Sequence, residues 1–138
     1  LAQTKQKAGV IVIKPDNFKS INDTYGHEVG DAALRLFADT VKSTLRSEDS
    51  TIRFRGDELV CILPRFDAKT TARTAENLRG VVSAADFGGL IGDPAFRLTV
   101  SLGVAAYPTH GRSSDSLVKR AFSLMLDARE CGGDRVNQ

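Results

Sequence analysis

A chain of 138 residues is the size of one domain and large enough to bury a single hydrophobic core. With 41% hydrophobic and 26% charged residues, and no apolar run near the ~20 residues of a membrane span, the composition is that of a soluble globular domain without membrane contact. A net charge of +2, from 19 basic and 17 acidic residues, is too balanced for a nucleic-acid coat, so any anion site must be local.

The N-terminal stretch LAQTKQKAG has no apolar segment followed by a small-residue cleavage site, so it reads as the tail of a helix from a longer chain rather than a secretory signal. Val10 to Ile13 is a continuous, mostly β-branched apolar run, which predicts a central strand covered on both faces and stopped by Pro15. A helix or turn then begins in NFKSINDTYGH, and Leu34, Phe37, Ala38, Val41 and Leu45 recur at helical spacing, predicting a helix from Val29 to about Leu45. TIRFR alternates, ELVCIL is apolar, and Gly56-Asp57 between them predicts a tight antiparallel hairpin.

Asp67 is placed to cap a helix carrying Ala72, Ala75, Leu78 and Val82 on one face, which DFGGLIGDP breaks. RLTVSLGVAAY predicts a long strand with Leu98, Val100, Leu102 and Val104 sharing a face. Leu117, Ala121, Leu124, Met125 and Ala128 trace a last helix ending at Gly132-Gly133, and a short strand follows at Arg135 and Val136. Cys61 and Cys131 have no metal or redox spacing and read as reduced, partly buried thiols of a cytoplasmic protein.

The order strand, helix, strand, strand, helix, strand, helix, without repeats or linkers, predicts one domain over residues 1–138 with an α+β, ferredoxin-like fold: a mainly antiparallel sheet with helices on its faces. That scaffold serves nucleotide cyclases, polymerase palms, RNA binders and ligand sensors alike, so function rests on particular residues. The central strands lack the interleaved aromatics of an RNA-binding surface.

Two segments could handle charged ligands. Where NFKSINDTYGH follows a strand, backbone N–H groups and Lys19 face a point where an anion could sit, although such a turn also simply starts a helix. Asn22 and Asp31 carry the amide and carboxylate that can match a guanine edge, or they stabilise a turn and a helix start. The hairpin turn presents Asp57 and Glu58 side by side, either an ordinary acidic turn or a pair of hard oxygen ligands.

VIVIKPDNFKSINDTYGHEVGD, RSED, RFRGDELVCILP, LTVSLGVAAYP and AFSLMLDARECGGDRV, in this order and spacing, resemble the GGDEF domains. These are the diguanylate cyclases of bacterial signalling, which condense two GTP molecules into cyclic di-GMP on a nucleotide-cyclase, palm-like fold. The resemblance implies that the amides near Phe18 and Lys19 hold a triphosphate and that Asn22 and Asp31 read guanine. Gly56 then backs the nucleotide, Asp57 ligates Mg²⁺ and with Glu58 serves catalysis, and Arg129 reaches the phosphates. It also implies a product-inhibition site at Arg46 and Asp49, in an RxxD sequence five residues ahead of the signature turn. Partners implied are GTP, cyclic di-GMP, flanking sensory or output domains and a second copy of the chain.

Several positions depart from the pattern. Lys14 stands in place of the strand-end aspartate that supplies the other metal carboxylate, changing the local charge by two units. At an effective dielectric of ~20, each unit is worth about 4 kcal/mol at 4 Å. Arg55 replaces the first signature glycine, where its guanidinium is expected to fill space that the nucleotide needs. Leu59 replaces the closing Phe, Gly133 the second phosphate-reaching Arg, and Asn77 a supporting Arg of the inhibitory site. The expectation is a degenerate domain that binds GTP or cyclic di-GMP without making it, needing no cofactor. The alternatives are an active cyclase using Mg²⁺ and a purely structural dimerisation domain.

Overall fold

The computed structural model describes residues 6–138, so most of the N-terminal helix tail lies outside the described residues. Strand β1 (Ala8–Pro15) is the centre of a five-stranded sheet; it is followed by helices α1 (Phe18–Tyr25) and α2 (His27–Thr44). The hairpin β2 (Ser50–Arg55) and β3 (Glu58–Pro64) comes next, then α3 (Ala68–Ala84) and a short α4 (Phe87–Ile91). The chain closes with β4 (Val100–Tyr107), α5 (Ser114–Glu130) and β5 (Arg135–Asn137).

The strand order is β2-β3-β1-β4-β5, antiparallel throughout except for the β4–β5 pair. Its first four strands form the ferredoxin-like arrangement, with β1 between β3 and β4. Alternation along β1 divides the core. Ile11 and Ile13 face Phe37, Val41, Leu78 and Phe87 of α2, α3 and α4, together with Leu98, Val100, Leu102 and Val104. Val10 and Val12 face Leu117, Ala121 and Met125 of α5. Both faces of β1 are therefore dry, as its unbroken apolar run requires.

Asp67 caps α3 as expected, accepting from the Thr70 amide at 2.8 Å. Pro15 ends β1 as its last residue, paired with Val100 of β4, where the missing N–H costs no bond to β3. DFGGLIGDP breaks α3, which ends at Ala84, and also contains α4, capped by the Asp86 carboxylate on the Gly89 amide at 2.7 Å. One expectation needs correction. Cys131 is exposed, while Cys61 is fully buried and its thiol pushed up to about 12 by that burial. Both cysteines are unpaired.

The connection from β4 to α5 is tied by His110, whose Nδ1 accepts from the Ala106 amide at 3.0 Å. Burial, aided by Arg120, holds His110 below its usual 6.5. The folded protein thus binds this proton less readily than the unfolded chain, so the contribution is present above that pH and is lost as pH falls below it. Thermal melts should show stability dropping as pH falls below about 6.5, and His110→Asn should flatten that limb. Identical pH profiles for the two proteins would contradict this.

Candidate functional site

Helix α1 starts at Phe18 directly beyond the end of β1, with Asn17 in the left-handed region (φ 54°) and no side-chain cap, so its first amides face outward. Gly26, at φ 91°, turns the chain from α1 into α2, and the following turn places Gly30 under Asn22. A Cβ on Gly30 would lie 1.6 Å from Asn22 Oδ1, so this glycine is what admits the Asn22 amide. The hairpin turn closes the opposite wall. A cavity of about 310 Å³ results, lined by Phe18, Lys19, Asn22, Asp31, Leu34, Arg53, Gly56 and Asp57.

Six residues singled out in the sequence for nucleotide contact or catalysis, from three separate segments, therefore share one cavity. Leu34 and Arg53 were missed. The Arg53 guanidinium donates from Nε to the Gly56 carbonyl at 2.6 Å, bracing the turn across its own hairpin. The only sequence signal for it is its place on the alternating strand before the turn.

Arg129 is not in this cavity. It lines a neighbouring one of about 530 Å³ with Asp16, Asn17, Leu126, Glu130, Gly132 and Gly133. Gly133, which stands where the resemblance implies an arginine, has a local role. Gly133 has φ +74°, and a Cβ there would come within 2.6 Å of the Asp16 carboxylate. Arg55 departs from expectation as well: its guanidinium lies over the rings of Phe54 and Phe122, at 5.2 and 5.3 Å, and does not line the cavity beside Gly56.

At the end of β1, Lys14 Nζ donates to Asp57 Oδ1 at 2.8 Å and lies 3.8 Å from Glu58 Oε1. The side chains of Lys14 and Asp57 are each 19% exposed and that of Glu58 is 7% exposed. Glu58 Oε2 is buried and has no partner among the described residues. Asp16, two residues on, is no substitute ligand. Its carboxylate is engaged elsewhere, accepting from Thr99 Oγ1 at 2.7 Å, Ser101 Oγ at 2.6 Å and the Asp134 amide at 2.9 Å.

Among the described residues no group of three or more His, Cys, Asp or Glu is arranged to hold a metal ion. The buried, unpartnered oxygen of Glu58 suits a cation, but an ammonium already stands against both carboxylates. The residues present do not fit a Mg²⁺ centre, whose ligands would be hard oxygens around the ion.

The RxxD turn is closed on itself. Arg46 donates to Asp49 from its amide (2.8 Å), Nε (3.2 Å) and Nη2 (2.7 Å), to the Pro64 carbonyl at 2.8 Å, and stacks on Phe66 at 3.9 Å. The Asp49 side chain is 1% exposed, and Glu48 bridges Arg46 to Arg65. The pair is brought together, with most of its hydrogen-bonding capacity directed inward. On α3, Arg79 is held by Glu76 and Asp134.

The family described as "Diguanylate cyclase, GGDEF domain" matches residues 1–135. Response regulator PleD of Caulobacter vibrioides is 36% identical over 126 residues, 91% of this chain and 28% of that protein. Diguanylate cyclase A of Treponema denticola is 31% identical over 134 residues, 97% of this chain and 36% of that protein. The chain thus spans about a third of the length of these relatives. Among solved structures, the GGDEF domain of DgcB from Caulobacter crescentus in complex with c-di-GMP has a TM-score of 0.87 and 28% identity, covering 99% of this chain and 80% of its own. Diguanylate cyclase SiaD of Pseudomonas aeruginosa, in complex with its activator SiaC, has a TM-score of 0.86 and 30% identity, covering 98% and 51%.

Proposed function

Since this chain belongs to the GGDEF family of diguanylate cyclase domains and so to cyclic di-GMP signalling, we propose that it is a degenerate member: a guanine-nucleotide-binding regulatory module with impaired cyclase activity. One observation carries this reading. The Lys14 ammonium pairs with Asp57, the acid that the family resemblance assigns to metal and catalysis. A positive charge fixed there disfavours a divalent ion by direct repulsion and occupies the carboxylate that would bind it.

The ligand-reading half of the site favours GTP. Asn22 and Asp31 line the same cavity as the start of α1 and Lys19, so a guanine edge and a phosphate chain can be engaged together. The self-closed Arg46–Asp49 turn favours this cavity over the RxxD site as the principal ligand position. No described helix is long and apolar enough to cross a membrane. We place the domain in the cytoplasm of a larger signalling protein, with flanking domains and a second copy as its partners.

An active cyclase is the second reading, favoured by the presence of both Asp57 and Glu58 at the turn. Calorimetry with GTP and an assay for cyclic di-GMP separate the two. GTP should bind, Asn22→Ala should weaken it about tenfold, the size of one to two lost hydrogen bonds, and no product should form. Cyclic di-GMP formed at a rate rising with the square of protein concentration would exclude the degenerate reading.

A further inference from the structure

The Lys14 ammonium has three N–H donors, and among the described residues one is engaged by an acceptor, Asp57 Oδ1 at 2.8 Å. Glu58 Oε1, at 3.8 Å, is beyond hydrogen-bond range yet close enough to hold the charge in place. The Lys14 side chain is 19% exposed, so the remaining donors are not sealed in the core. Lys14 itself does not line the cavity, but its partner Asp57 does, together with Lys19 and Phe18 at the start of α1, so the ammonium stands one carboxylate away from where a phosphate chain would run.

We infer that Lys14 is a covalently tethered replacement for the divalent ion, so that this domain takes a nucleoside polyphosphate as the metal-free anion. The inference rests on the nucleotide-binding reading above and adds the form of the ligand. Asp57 and Glu58 then act as the holders of an ammonium rather than of a metal. Lys14 keeps one donor on Asp57 and turns the others to phosphate oxygens, as an ammonium binds phosphate through charge and rotatable donors.

The charges give a consequence that a metal site would not share. Asp57, Glu58 and Lys14 together carry −1, which opposes an incoming anion. Asp57→Asn removes one negative charge a few ångströms from the phosphates and should tighten metal-free binding, whereas loss of a metal ligand would weaken binding. Lys14→Asp should convert the site to the opposite behaviour, with binding that depends on added Mg²⁺.

The test is calorimetry of the protein with GTP in excess EDTA and again in millimolar Mg²⁺, with each variant checked for folding by circular dichroism. The expected result is tighter binding in EDTA than in Mg²⁺, because Mg²⁺ held by the nucleotide competes for the free anion, with a loss of about tenfold in Lys14→Met and a gain of about threefold or more in Asp57→Asn, both read in EDTA. GTP binding that requires Mg²⁺ or is unaffected by it in the unaltered protein, or a Lys14→Met affinity equal to the parent's, would overturn the inference while leaving nucleotide binding intact. Weaker binding by Asp57→Asn would overturn it too, and serves if Lys14→Met does not fold. Absence of GTP binding in both buffers would instead overturn the nucleotide-binding reading and this inference with it.

Discussion

Replacing Gly103 by alanine is expected to lower the unfolding free energy by about 3 kcal/mol, toward the upper end for overpacking a core. Gly103 lies mid-way along β4, paired with Val12 of β1 and Asn137 of β5, under the middle of α5. A Cβ there would come 1.8 Å from the Ala121 carbonyl oxygen and 2.6 Å from the Met125 amide nitrogen. Both obstacles are helix backbone, so no rotamer change can relieve them. The helix would have to lift as a unit, loosening Leu117, Ala121, Met125 and Ala128, all fully buried. For a domain of 138 residues this cost corresponds to a fall of roughly 10 °C in melting temperature. Urea denaturation measures it directly, and a change below about 1 kcal/mol would show that α5 does not sit as closely on β4 as described.

The same glycine shows why some features were legible in the sequence and others were not. In LTVSLGVAAY the alternation places Leu98, Val100, Leu102 and Val104 on one face, and all four are in the core beneath α2, α3 and α4. The hairpin turn follows from Gly56-Asp57, and α5 from its spacing, because those signals are local and periodic. The reason that position 103 is glycine is not local, since it lies in a helix 18 to 22 residues downstream.

The site divides in the same way. Phe18, Lys19, Asn22, Asp31, Gly56 and Asp57 were identifiable from residue type and family spacing, and they line one cavity. Lys14 stood out as a misplaced cation, but its partner 43 positions away depends on the register of β1 against β3. Arg55 was expected to obstruct the nucleotide because composition says only that it is large and charged. Its direction is set by Phe54 next to it and by Phe122 on α5, which the sequence does not place together. Gly133 read as a lost arginine, whereas it is also the residue that admits the Asp16 carboxylate.

Asp16→Ala is expected to cost about 3 kcal/mol of stability, nearly all of it through lost hydrogen bonds to a charged acceptor. Its carboxylate joins three parts of the chain: the end of β1, Thr99 and Ser101 at the start of β4, and the amide of Asp134 ahead of β5. Ser101 is fully buried, so its hydroxyl would be left without an acceptor in a dry environment. Asp16→Asn retains one acceptor oxygen but turns an NH₂ group toward a donor, and should lie between the parent and Asp16→Ala. The alternative role for Asp16 is that of a carboxylate ligand taking over from the aspartate missing at position 14. That role predicts the reverse pattern, with stability nearly unchanged and the response of GTP binding to Mg²⁺ altered. Chemical denaturation of the two variants, paired with GTP titrations in EDTA and in Mg²⁺, distinguishes a stitch from a ligand. A stitch is the expected outcome because, among the described residues, the bonds that the Asp16 carboxylate accepts come from Thr99, Ser101 and the turn before β5, while Asp57 and Glu58 face Lys14.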